Sequence, residues 1–168
     1  MNLSQYLPAV AVAATLWMSP ALAEDSAQTF VDKATVGGLF EVESSQLALK
    51  MSDDTDVKHF ADMMVNDHGK ANAALKLLAE QQKLTLPAGL DEEHAAMVKT
   101  LEKAGDHFDA AYAKAQLDAH EAAVELFENY ASDGENKELQ SFAVQSLPAL
   151  HGHLEAIKDI GARTAATK

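Results

Sequence analysis

Imidazole and carboxylate are the groups in this chain able to hold a transition metal. Seven histidines accompany 26 Asp and Glu residues, and cysteine is absent. Without thiols there is no disulfide framework, no thiolate nucleophile, no iron–sulfur cluster and no zinc–thiolate site. The spacing of the histidines then sorts them, taking each apolar segment as a helix of 100° per residue. His68 falls in the middle of the stripe Val57, Phe60, Met64, Ala71 and Leu75. Glu41 lines up with Phe30, Ala34, Gly37, Ser45 and Ala48, a stripe rich in small residues that lets a neighbouring helix come close. His120 lies one turn beyond Gln116, at the flank of the stripe Phe108, Tyr112, Ala119, Ala123 and Phe127. His153 stands within about 50° of its own stripe centre. His59, His94, His107 and His151 read as surface or cap residues, and Glu155 points away with His151.

One carboxylate and three imidazoles thus face inward, or nearly so, from four segments. A sulfur-free Glu/His set suits Zn, Mn, Fe, Cu or Ni. Glu41, His68, His120 and His153 are the candidate ligands, with Asp67 and Glu121 as candidates for the groups that orient them. Glu43 stays open beside Glu41, because its segment is apolar on more than one side. The alternative is a non-catalytic envelope protein in which the same residues form a hydrogen-bonded network. An unpaired Glu41 in a core is costly, and an imidazolium would satisfy it as well as a metal. Met51, Met63, Met64 and Met97 are scattered and read as core filler, not as a copper–thioether box.

The elements that must position these groups are helices. Ala is heavily used, β-branched residues are few, and Gly and Pro number only 8 and 4. Segment one runs from about Ser26, a plausible N-cap, to Met51. Asp54 caps the second, Thr55 to Lys83, and a loop with Pro87 and Gly89 follows. Asp91 caps a short helix, Glu92–Lys103, and Asp106 is placed to cap a long one reaching about Ala131. The last helix runs from about Lys137 to Ala162, with a frayed tail beyond it. The apolar phase is continuous across Pro148, which predicts one kinked helix instead of two. The expected fold is all-α: an antiparallel four-helix bundle with one short extra helix. In such a bundle mid-helix positions share one level, which is where Glu41, His68 and His120 belong.

The first 23 residues read as an address. An uncharged apolar run from Leu7 to Met18 precedes Ala21-Leu22-Ala23 and the acidic pair Glu24-Asp25. That predicts a signal peptide cleaved after Ala23, export to a bacterial periplasm, and one helical domain over residues 24–168, ordered over about 26–162. The run is too short to span a bilayer, so no membrane span is expected after cleavage. Met1–Tyr6 lacks Lys and Arg, and an uncleaved anchor is the alternative. A net charge of −13 argues against nucleic acid and against anionic lipid as partners. No Gly-rich loop follows a strand, so phosphate binding has no basis. Ser44 and Ser45 sit on a regular helix and build no Ser–His–acid triad.

The motifs resemble a known family. They are Gly37-Gly38-Leu39-Phe40-Glu41-Val42, Met64-Val65-Asn66-Asp67-His68, Leu86-Pro87, Phe108-Asp109 with Tyr112, Ala119-His120-Glu121, and Leu147-Pro148-Ala149-Leu150 with His153-Leu154. Together they resemble the domain-of-unknown-function 4142 family, over about Phe30 to Ile160. The resemblance implies a ferritin-like bundle in an exported bacterial protein, with no settled activity. Di-iron sites of ferritin-like bundles use Glu-x-x-His on two helices. Here Val65, Leu117 and Leu150 stand three residues before His68, His120 and His153. Ferroxidase or oxygen-activating chemistry is therefore not expected; a non-enzyme is the favoured reading, and a metalloenzyme of another kind is the remaining alternative.

Overall fold

A computed structural model describes residues 26–166. The proposed signal peptide lies outside the described residues. The fold is all-α, with no strand among the described residues. Five helices follow in order: α1 Ala27–Met51, α2 Thr55–Gln81, α3 Glu92–Glu102, α4 Phe108–Asp133 and α5 Lys137–Ala166. The short connections after α1 and α4 turn each into an antiparallel hairpin with its successor. The two hairpins pack face to face, and the short α3 lies against α1 and α4.

Local chemistry sets the helix starts. Ser26 Oγ accepts from the Thr29 N–H at 3.2 Å, and Asp54 accepts from Asp56 and Val57 at 2.8 and 3.1 Å. Asp91 accepts from His94 N–H at 2.8 Å, and Asn136 from Leu139 N–H at 3.0 Å. Each side chain satisfies a donor that the first helical turn leaves without a partner. Asp106 is not a cap. Gly105, at φ 53°, opens a 3-10 turn through His107, and α4 starts at Phe108 with no side-chain cap. α5 runs unbroken through Pro148 and ends at Ala166, beyond the expected Ala162. Pro148 and Val144, whose carbonyl loses its usual donor, both lie on the exposed face of α5.

The core holds Phe30, Phe40, Phe60, Met64, Tyr112 and Ile157, all fully buried or nearly so. Phe30 stacks on Tyr130 at 4.1 Å between ring centroids and meets Phe127 edge-on at 5.1 Å. These rings close the end of the bundle where α1 begins and α4 ends. Met64 fills core as expected, but Met51, at the end of α1, is 38 % exposed.

Candidate metal centre

Glu41, His68, His120 and His153 sit on α1, α2, α4 and α5, and all four are buried. Gly38 of α1 lies under the Asn72 side chain of α2, which an added Cβ would overlap unless that side chain shifted. Glu41 follows one turn later and meets α2 directly. Its Oε2 lies 2.7 Å from His68 Nδ1, and its Oε1 lies 3.6 Å from His120 Nδ1. His120, placed by its spacing at the flank of its helix, is completely buried. Glu43 is exposed.

The three imidazoles form a near-equilateral triangle, with centroids 5.3, 5.4 and 5.6 Å apart. One ring nitrogen of each lies within 4.8 Å of the other two. Each ring is tethered through one nitrogen: His68 Nδ1 to Glu41, His120 Nδ1 to the Gln116 carbonyl at 2.8 Å, and His153 Nε2 to Asp67 Oδ2 at 3.3 Å. A carbonyl or carboxylate partner requires an N–H at that nitrogen, so in a neutral ring the other nitrogen carries a lone pair. Those other nitrogens, His68 Nε2, His120 Nε2 and His153 Nδ1, are buried and have no hydrogen-bond partner. Glu41 Oε1 is likewise buried without one.

Three imidazole nitrogens within 4.8 Å of one another could hold an ion between them, which would draw each to about 2.0–2.1 Å. Of the four residues expected from the sequence, the three histidines gather round one point, and Glu41 adjoins them through His68 and His120 with its Oε1 still without a hydrogen-bond partner. Asp67 tethers His153 as an orienting group would, but Glu121 is exposed and orients nothing here.

Burial alone would raise the Glu41 carboxyl, but the attraction and hydrogen bond of His68, helped by His120 and His153, hold it below the usual value. Burial lowers His120, with His68 adding repulsion and Glu41 opposing. Burial, then the other two rings, pull His153 down to about 4 despite Asp67. His120 and His153 are therefore neutral at pH 7, which is the form that ligates metal.

A buried polar layer between α1 and α4, not legible from the apolar stripes, adjoins His120 at Gln116. Gln116 Nε2 donates to Ser44 Oγ at 2.8 Å, and Ser44 donates to the Phe40 carbonyl at 2.6 Å. Ser45 and the Tyr112 hydroxyl share a hydrogen bond of 2.8 Å. Burial pushes the Tyr112 phenol above its usual range, so it stays protonated. The available signal was Gln116 one turn before His120, together with Ser45 on the Glu41 stripe. His94 is not a cap itself: its Nδ1 lies 2.7 Å from Asp91, which caps α3, and its ring meets Phe40 edge-on at 5.4 Å. His59 is exposed, and His151 pairs with Glu128 at the surface.

A cavity of about 620 Å³ reaches the triad, with Glu41, His68, His153 and Asp67 in its wall. Among the described residues no helix is long and apolar enough to cross a membrane.

The sequence model of a family described as "Domain of unknown function (DUF4142)" matches residues 12–160. Two solved structures share the fold. "CopM in the Cu(II)-bound form" is 18% identical, with a TM-score of 0.70, covering 81% of this chain and 95% of that one. A DUF305 fragment from Deinococcus radiodurans is 14% identical, with a TM-score of 0.72, covering 86% of this chain and 99% of that one. No curated protein sequence matches the chain.

Proposed function

The chain belongs to the DUF4142 family, whose description assigns no activity, and from that premise we propose that it binds one divalent transition-metal ion through His68, His120 and His153. One observation carries the reading. Three buried imidazoles converge, each tethered through one nitrogen and each left with a buried, unpartnered nitrogen on the other side. Tethering of the far nitrogen fixes tautomer and ring orientation, as it does around known metal-bound histidines. Glu41 supplies a buried negative charge that offsets the cation, and its hydrogen bond makes His68 a better donor. Gln116 and Asp67 orient the other two rings.

Copper is the first ion to test. A site of nitrogen donors binds Cu²⁺ most tightly among the divalent first-row metals, and a structural neighbour is described with Cu(II) bound. A bound copper ion would supply Lewis acidity and one-electron redox chemistry. The reading is one of metal binding, with no reaction assigned. Export with cleavage after Ala23 belongs to the same proposal, and the mature protein then begins at Glu24.

The 2.7 Å Glu41–His68 pair favours a second reading, a structural network fixing helix register. That network leaves three ring nitrogens and Glu41 Oε1 unsatisfied, at about 1–3 kcal/mol each. Metal content and melting temperature separate the two. Protein purified from the periplasm should carry or take up one equivalent of metal by elemental analysis. His68→Ala should lose that metal, and its melting temperature should differ from the parent's far more in metal than in chelator. Equal destabilisation with and without chelator would support the network.

A further inference from the structure

The cavity beside the triad has a direction. On α1 its wall runs from Glu41 back to Asp32, and on α2 from Asp67 and His68 on to Leu75. On α4 it runs from Ala119 to Phe127 and beyond, and on α5 from His153 back to Phe142. The antiparallel packing makes all four runs point the same way, away from the histidines and toward the Phe30–Tyr130 end. The nine steps along α1 from Glu41 back to Asp32 span about 13 Å at about 1.5 Å per residue. The cavity is therefore long, with His68 and His153 at one end, charged groups at the other and a mostly apolar wall between them. Small side chains keep it open: Ala71 and Ala123 each stand three residues past a triad histidine, and Ala34 and Gly37 face them from α1. A Cβ added at Gly37 would meet nothing within 4 Å.

Polar groups stand at both ends of the wall: Asp67 and His153 at the histidine end, and Asp32, Lys33, Glu125 and Asn129 at the other. Asn72, one turn past His68, lies at the histidine end over Gly38. A volume of about 620 Å³ falls within the usual range for small-molecule sites, which combine apolar walls with a few convergent polar groups. Three protein ligands also leave a coordination position free, as catalytic metal sites do and closed structural ones do not.

We propose that the centre takes an external ligand: a small organic molecule with a nitrogen or oxygen donor at its head and an apolar, elongated body. The head completes the coordination of the ion held by His68, His120 and His153, and the body lies along the cavity between the hairpins. This rests on the metal-binding reading above.

The test compares two probes with the same head on copper-loaded protein. Imidazole supplies the donor alone, and 4-phenylimidazole adds an apolar ring. Binding is followed by the Cu(II) electron paramagnetic resonance spectrum and visible absorption, with copper retention checked after desalting. The expected result is at least tenfold tighter binding of 4-phenylimidazole. Ala123→Leu, or Ala71→Leu if the first fails to fold, should erase that preference and leave copper uptake and imidazole binding within about twofold. Equal affinity for the two probes, or spectra that neither probe perturbs, would overturn the inference while leaving metal binding intact. Protein that takes up no copper overturns the metal-binding reading, and this inference with it.

Discussion

Glu41 and His68 meet across the α1–α2 interface at 2.7 Å, both side chains nearly sealed from water. The pair holds the His68 ring by Nδ1 and leaves Nε2 buried without a hydrogen-bond partner, in a ring packed against the other two imidazoles. In the proposed site Glu41 would act on a metal through His68, as an orienting group and a buried counter-charge. Glu41→Gln keeps the shape and one acceptor but removes the charge. It should retain helical content and weaken copper binding about 10–100-fold, the usual effect of removing an orienting partner. A competition titration against a chelator of known affinity reads this directly. Unchanged affinity would remove Glu41 from the site.

Stability of the metal-free protein should fall on acidification. An unfolded chain protonates His153 near the ordinary 6.5, whereas the folded ring resists until about 4. Between those values the unfolded state binds more protons, so stability present above pH 6.5 is lost as the pH falls toward 4 and levels off below. Glu41, held below its ordinary 4.5, adds a loss of the same sign at lower pH. Urea melts in chelator at pH 7.5 and 4.5 should show a clear drop in midpoint. His153→Gln should shrink that drop, and an equal drop in the variant would contradict the assignment.

Two glycines should respond in opposite directions to alanine. Gly37 lies mid-helix with open space where a Cβ would go, so Gly37→Ala should stabilise by about 0.5–1 kcal/mol through helix propensity. At Gly134 a Cβ would stand 2.5 Å from the Tyr130 carbonyl oxygen and 2.6 Å from its ring. Gly134→Ala should destabilise by about 1–3 kcal/mol, as overpacking does. Thermal melts of the two variants check the sign of each.

The buried Tyr112–Ser45 hydrogen bond should be measurable apart from the triad. Tyr112→Phe leaves the Ser45 hydroxyl without that partner in the core and should cost about 1 kcal/mol. Copper affinity should stay within about twofold. A large loss of affinity would tie this layer to the metal site itself.

Apolar spacing and cap residues determined most of the fold, because both act within a few residues of chain. Ser26, Asp54 and Asp91 marked helix starts, and the continuous phase around Pro148 marked one helix. The one false start was Asp106. Nothing in its neighbourhood announced that Gly105 would take positive φ and open a 3-10 turn instead. The inward set Glu41, His68, His120 and His153 was legible for the same reason, since facing is a matter of angle along one helix. Which nitrogen of each ring is tethered, and to what, was not. Those choices depend on the rotation and depth of neighbouring helices, set by contacts such as Gly38 against Asn72 that join residues far apart in the chain. Tertiary packing alone made Glu41 a partner of His68, chose Asp67 over Glu121, and left a cavity where four helices with small side chains fail to fill the space between two hairpins.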